Sequence, residues 1–150
     1  MKKKQILIDI LPRIIWIIQG LVLFLIHKYI NYQPKLTGNL LWLIIGWLMI
    51  VIGLIFMIWI SRFLTTKLIS ARKLVTNGPY QYARHPMYVA IYIILIGVGI
   101  LFFSIHWFII LLIFIPFWCV ECKIEEKQLI KLYGQEYLNY KKKVGMFFSF

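Results

Sequence analysis

Charged side chains are scarce in this chain of 150 residues: they make up 15% of it, only five are acidic, and 62% of the residues are apolar. That shortage excludes an ordinary soluble fold, because too little polar surface remains to face water. Cysteine and histidine are nearly as rare, at two and three. Cys119 and Cys122 are spaced C-x-x-C, but zinc normally takes four ligands, and His27 and His106 fall at the opposite ends of the apolar runs from His85. Neither a metal site nor a catalytic dithiol is expected. No repeat and no low-complexity tract interrupts what reads as one domain, residues 1–150. The few acids leave seventeen lysines and arginines to set a net charge of +12. Such a charge can signal nucleic acid, but here the basic residues punctuate apolar runs and line no separate polar surface. Anionic lipid headgroups are the better counterpart, and no nucleic-acid partner is expected.

What the chain does have is long apolar stretches: Ile14 to Ile30, Leu40 to Ile60, Met87 to Phe103 and Trp107 to Val120. At about 1.5 Å rise per residue the second reaches roughly 31 Å, a match to the hydrocarbon core of a bilayer. The fourth is short and is parted from the third only by Ser104, Ile105 and His106, so the two form a tight helical hairpin that crosses or only enters the membrane. The expected fold class is an all-α integral membrane protein of about four transmembrane helices with an amphipathic helix after them. Basic residues orient it. Lys2, Lys3, Lys4 and Arg13 precede the first span, Arg62, Lys67, Arg72, Lys73 and Arg84 separate the second from the third, and six lysines follow the fourth. Only Lys28 and Lys35 lie on the other side, so both termini, the loop 61–85 and the tail 121–150 are expected in the cytosol. The basic start lacks a small-residue cleavage pattern and reads as an uncleaved first span, with Gln5 to Leu11 along the interface. Gly46, Gly53, Gly97, Gly99 and Pro116 are expected to serve helix packing, and Trp42, Trp107 and Trp118 an aromatic belt.

Chemistry is expected where the loop meets the third span. Residues Leu74 to Tyr88 read LVTNGPYQYARHPMY, with a turn signal at Asn77-Gly78-Pro79 and Pro86 placed as the first helical residue. His85 then falls near the N-cap, and the unpaired amides of a helix start suit an anionic ligand group. Taken singly, Arg84 is a headgroup anchor and His85 a cap. From Ile124 to Lys143 the tail reads as an amphipathic helix, with Leu129, Ile130, Tyr133, Tyr137 and Tyr140 at steps of three and four. Glu125 and Glu126 are expected in its first turn, where carboxylates complement the helix dipole. The hairpin would bring them close to His85 and Tyr88, on one cytosolic face.

Two motifs, G-P-Y-x-Y-x-R-H-P-M-Y from Gly78 to Tyr88 and E-E-K-x-L-x-x-x-Y-G-x-E-Y-x-x-Y from Glu125 to Tyr140, carry a resemblance. Together they resemble the isoprenylcysteine carboxyl methyltransferase and phospholipid methyltransferase group of integral membrane enzymes, over about half the chain, Leu74 to Val144. The resemblance implies methyl transfer from S-adenosylmethionine to a lipid-like or membrane-partitioned acceptor. By position it implies that Tyr80, His85, Pro86, Met87, Tyr88 and Glu125 contact the cofactor, with Glu126 beside them. Lys73, Leu74 and Val75 would add backbone and apolar contacts. Family members acting on prenylcysteine carboxylates resemble one another in an arginine four residues before the position of Glu125; here Glu121 stands there, which disfavours a carboxylate acceptor. The finish Gly145-Met146-Phe147-Phe148 also lacks the proline common in that group. Membrane sterol reductases have a similar R-H-P and acidic-tail pattern and bind NADPH, so a nicotinamide-dependent reductase is the rival expectation, and a non-catalytic protein keeping the fold is the third.

Overall fold

A computed structural model describes residues 14–15, 17–25, 28–29, 40–71 and 74–148. The basic start, the interfacial stretch Gln5 to Leu11, His27, Lys35, Arg72 and Lys73 lie outside the described residues. Helix is the regular structure throughout: α1 (residues 17–25), α2 (Leu40–Ala71), α3 (Pro86–Phe102), α4 (Ile105–Tyr133) and α5 (Gln135–Lys143), with a 3-10 turn at Gly78–Gln81. Two of them, α2 over Leu40–Thr65 and α4, are long and apolar enough to cross a membrane, while α3 is apolar but shorter. Trp47, Ile55 and Leu112 are 60%, 62% and 65% exposed. Apolar surface of that extent along a helix has hydrocarbon as its natural solvent.

Two boundaries differ from the sequence expectation. The start of the anticipated loop, from Ser61 on, is helical as far as Ala71. No proline or glycine intervenes there, and the hydroxyls of Ser61 and Thr65 donate back to the carbonyls of Met57 and Ser61, each at 2.8 Å, so these polar residues are accommodated within the helix. Likewise the fourth apolar stretch and the start of the tail are a single helix, because nothing between Val120 and Tyr133 breaks it. Glu125 and Glu126 therefore sit inside α4, not in a first turn, and the dipole argument does not apply to them. The break comes at Gly134, whose φ of +55° is one that L side chains rarely adopt. It is α5 that has an acid, Glu136, in its first turn and Lys141, Lys142 and Lys143 in its last.

Packing follows from small residues and from a few buried polar contacts. α2 and α3 lie against each other with Gly97 facing Gly46: a Cβ on Gly97 would stand 2.8 Å from the Gly46 carbonyl oxygen. Backbones come this close only where side chains are absent. The α3–α4 hairpin turns at Phe103, in the left-handed region with φ +47°, and is cross-linked by Trp107 Nε1–H donating to the Leu95 carbonyl at 2.8 Å. Ile15 and Leu23 of the leading helical residues pack on Ile110, Phe114 and Trp118 of α4. Trp118 is 1% exposed and donates its indole N–H to Gln19 Oε1 at 3.0 Å, so it belongs to the core and not to an aromatic belt.

Candidate functional site

The loop between α2 and α3, the polar half of α4 and the helix α5 meet at one end of the helix pair, and charge organises the meeting. Arg84 is buried, its side chain 8% exposed. Its Nε–H donates to Glu126 Oε1 at 2.7 Å, and its Nη1 donates to the carbonyls of Lys141 at 3.0 Å and Val144 at 2.6 Å. These carbonyls belong to the last turn of α5 and the residue after it, where helix carbonyls lack intrahelical donors. Lys141 Nζ donates to the other oxygen of Glu126 at 2.6 Å. Burial pushes the Glu126 carboxyl up, but the hydrogen bond from Lys141 and the charges of Arg84 and Lys141 outweigh it and hold the group below the usual carboxylate range. Arg84 is thus a tie between loop, α4 and α5, where sequence alone suggested a headgroup anchor.

The backbone completes this tie. The amides of Arg84 and His85 donate to the carbonyls of Gly145 and Met146, both at 3.0 Å, so the segment after α5 runs alongside the R-H-P turn. Tyr140 O–H donates to the Tyr80 carbonyl at 2.6 Å, fixing the 3-10 turn to α5. Burial pushes this phenol up to about 12, with Arg84 opposing in part, so it stays a donor at neutral pH. Burial also raises Tyr137, whose hydroxyl has no hydrogen-bond partner.

His85 stands as the N-cap of α3 without a side-chain capping bond, followed by Pro86 as expected. Its ring is free to face Glu125: Nδ1 lies 3.2 Å from Glu125 Oε2, and Tyr88 O–H donates to Glu125 Oε1 at 2.8 Å. His85 Nε2 is buried, 3.6 Å from Glu126 Oε1, and makes no hydrogen bond. An orphaned buried ring nitrogen is costly in a finished fold.

A cavity of about 440 Å³ opens beside this cluster, within the size range of small-molecule sites. Tyr80, His85, Pro86, Met87, Tyr88 and Glu125 all line it, as do Leu74 and Val75. Of the other residues singled out from sequence, Glu126 is buried beneath the wall in its pair with Arg84, Glu121 does not line the cavity, and Lys73 lies outside the described residues. Glu121 is 1% exposed with both carboxyl oxygens unpaired. Sequence reasoning did not assign Arg84, Tyr133, Tyr137 or Tyr140 to the site, although all four line the cavity. The tyrosines were legible as a stripe, but a stripe reads first as core, and Tyr137 and Tyr140 do pack with Val144. Among the described residues no three His, Cys, Asp or Glu side chains converge as a metal site, and Cys119 and Cys122 are free thiols.

A chain helical over its described residues, with membrane-length apolar helices and a ligand-sized polar–apolar cavity at one end of them, is the class that fold and site define. Within that class, the phospholipid methyltransferase family model matches residues 41–136, well over half the chain, and the protein belongs to that family. It is 33% identical over 87 residues to the Protein-S-isoprenylcysteine O-methyltransferase of Saccharomyces cerevisiae, a stretch covering 57% of this chain and 36% of that protein. The match therefore spans about a third of that relative's length. No solved structure gives a significant match. Membership implies a methyl donor.

Proposed function

We propose that the protein transfers a methyl group from S-adenosylmethionine to a lipophilic, membrane-partitioned acceptor. The observation that carries this reading is the 440 Å³ cavity in which the family's two motifs meet around the His85 ring and a Glu125 carboxylate. The residues fit three chemical parts of the cofactor. Glu125, its side chain 40% exposed, is placed to accept hydrogen bonds from ribose hydroxyls. The free amides of the first turn of α3, after Pro86 and beside the His85 ring, suit the methionine carboxylate. The faces of Tyr80, Tyr88, Tyr133 and Tyr137 suit a sulfonium cation. When bound, the cofactor supplies a methyl group on positively charged sulfur, already an excellent leaving group.

The protein's own part is then alignment and the exclusion of water. Leu74, Val75, Met87, Ile91 and Leu129 make the cavity's apolar lining, and the tie from Arg84 holds loop and α5 over it. Methyl transfer is favoured over the nicotinamide-dependent alternative because the matching family model and the listed relative are both of methyltransferases, and because Nε and Nη1 of Arg84 on the cavity wall are already engaged by Glu126 and two carbonyls. The charge distribution supports four spans with loop, tail and cavity on the cytosolic side.

The direct test is transfer of label from methyl-tritiated S-adenosylmethionine into the solvent-extractable fraction of membranes containing the protein. Label above that of membranes without it is expected, with loss in His85→Ala and Glu125→Ala. Equal incorporation by the wild type and both variants would remove the proposed site.

A further inference from the structure

One face of α4 is apolar along most of its length and basic at its end. At about 100° per residue, Ile109, Ile113, Phe117 and Val120, then Lys123, Lys127 and Lys131, fall within about 120° of one another around the helix. All seven are exposed. The helix runs unbroken through the change, so a single exposed strip passes from residues that suit hydrocarbon to residues that suit the headgroup layer.

Nothing within the protein balances this row. Lys123, Lys127 and Lys131 form no ion pair among the described residues, whereas Lys141 is paired with Glu126. The two acids on the same turns are engaged elsewhere: Glu125 with His85 and Tyr88, Glu126 with Arg84 and Lys141. Lysines four residues apart are neighbours on a helix surface and repel one another, so the row weakens α4 until an anion lies along it. Geometry says where that anion comes from. Helical side chains lean toward the helix N-terminus, which for α4 is the apolar part, so the three stems point back toward the bilayer. The row rises about 12 Å, and with this lean its far end stays within about a Debye length, roughly 8 Å, of the headgroups.

We propose that Lys123, Lys127 and Lys131 seat the phosphates of anionic phospholipids along α4. This binding is independent of the methyltransferase reading. A lipid headgroup is the occupant because the row begins where the exposed apolar strip ends, which places it beside phosphates already anchored in the bilayer. The lysines at the end of α5 differ in this respect: Lys142 and Lys143 follow the break at Gly134 and continue no apolar strip of α4.

The test is native mass spectrometry of the full chain in detergent, given equimolar phosphatidylglycerol and phosphatidylcholine of the same acyl chains. Preferential retention of phosphatidylglycerol is expected. Each lysine near an anionic surface contributes about fivefold to binding, so Lys127→Gln/Lys131→Gln should weaken phosphatidylglycerol retention roughly 25-fold. Lys142→Gln/Lys143→Gln removes the same charge from α5 and should weaken it by less than about fivefold. Equal retention of the two lipids by the wild type would overturn the proposal. Equal losses in the two double variants would overturn it as well, since net charge alone would then explain the preference. Where the α4 double variant fails to fold, Lys127→Gln alone carries the comparison, with a loss of about fivefold expected and no loss contradicting the seat.

Discussion

Arg84 shows how far one side chain's role depends on where the chain takes it. Read along the sequence it is one more arginine at a membrane boundary; in the fold it is buried and bonded to Glu126 and to the last carbonyls of α5. Removing one member of a buried ion pair leaves the other uncompensated, so Arg84→Ala should destabilise the protein by about 3 kcal/mol, the lower end for such changes because Lys141 still pairs with Glu126. Thermal unfolding in detergent should report this as a lower Tm, with part of it recovered in Arg84→Ala/Glu126→Gln. An unchanged Tm would return Arg84 to headgroup anchoring. The cavity residues were more legible: Tyr80, His85, Tyr88 and Glu125, all singled out from the two motifs, line one cavity. Arg84 and Glu126 were not, because the bond joining them spans 42 positions and no local pattern announces it.

At the scale of elements, the apolar runs disclosed α2, α3 and α4 but misplaced their ends. Periodicity marks where a helix is amphipathic or apolar, and it is silent on whether a polar continuation stays helical; Ser61 to Ala71 and Glu121 to Tyr133 both do. The docking of α5 onto the loop is the element-level feature with a pH dependence. Glu126 is held below its usual value of 4.5, so the folded state binds its proton less readily than the unfolded one. The resulting stabilisation is complete above the unfolded value and is lost as pH falls through the folded one. Limited proteolysis of the α5 segment should accelerate below about pH 4.5, and this acceleration should be blunted in Glu126→Gln. A cleavage rate flat from neutral pH down through the unfolding range of other carboxylates would contradict the role given to Glu126.

For the whole molecule, the apolar exterior, the basic loop and tail, and the cavity between them fit a protein of a membrane-associated family, with the polar seat of Glu125 and His85 at one end of the apolar helices. The orientation is tested by Lys142→Cys, exposed on α5, in a chain whose Cys119 and Cys122 are replaced by serine. A membrane-impermeant maleimide should label it from the cytosolic face and not from the opposite face of sealed vesicles; labelling from the opposite face alone would invert the topology. The most direct test of the central claim is calorimetric titration of the detergent-purified protein with S-adenosylhomocysteine, alongside NADPH. Saturable binding of S-adenosylhomocysteine, absent with NADPH and lost in both His85→Ala and Glu125→Ala, is the expected result. Binding of NADPH alone, or S-adenosylhomocysteine binding unaffected by either substitution, would contradict it.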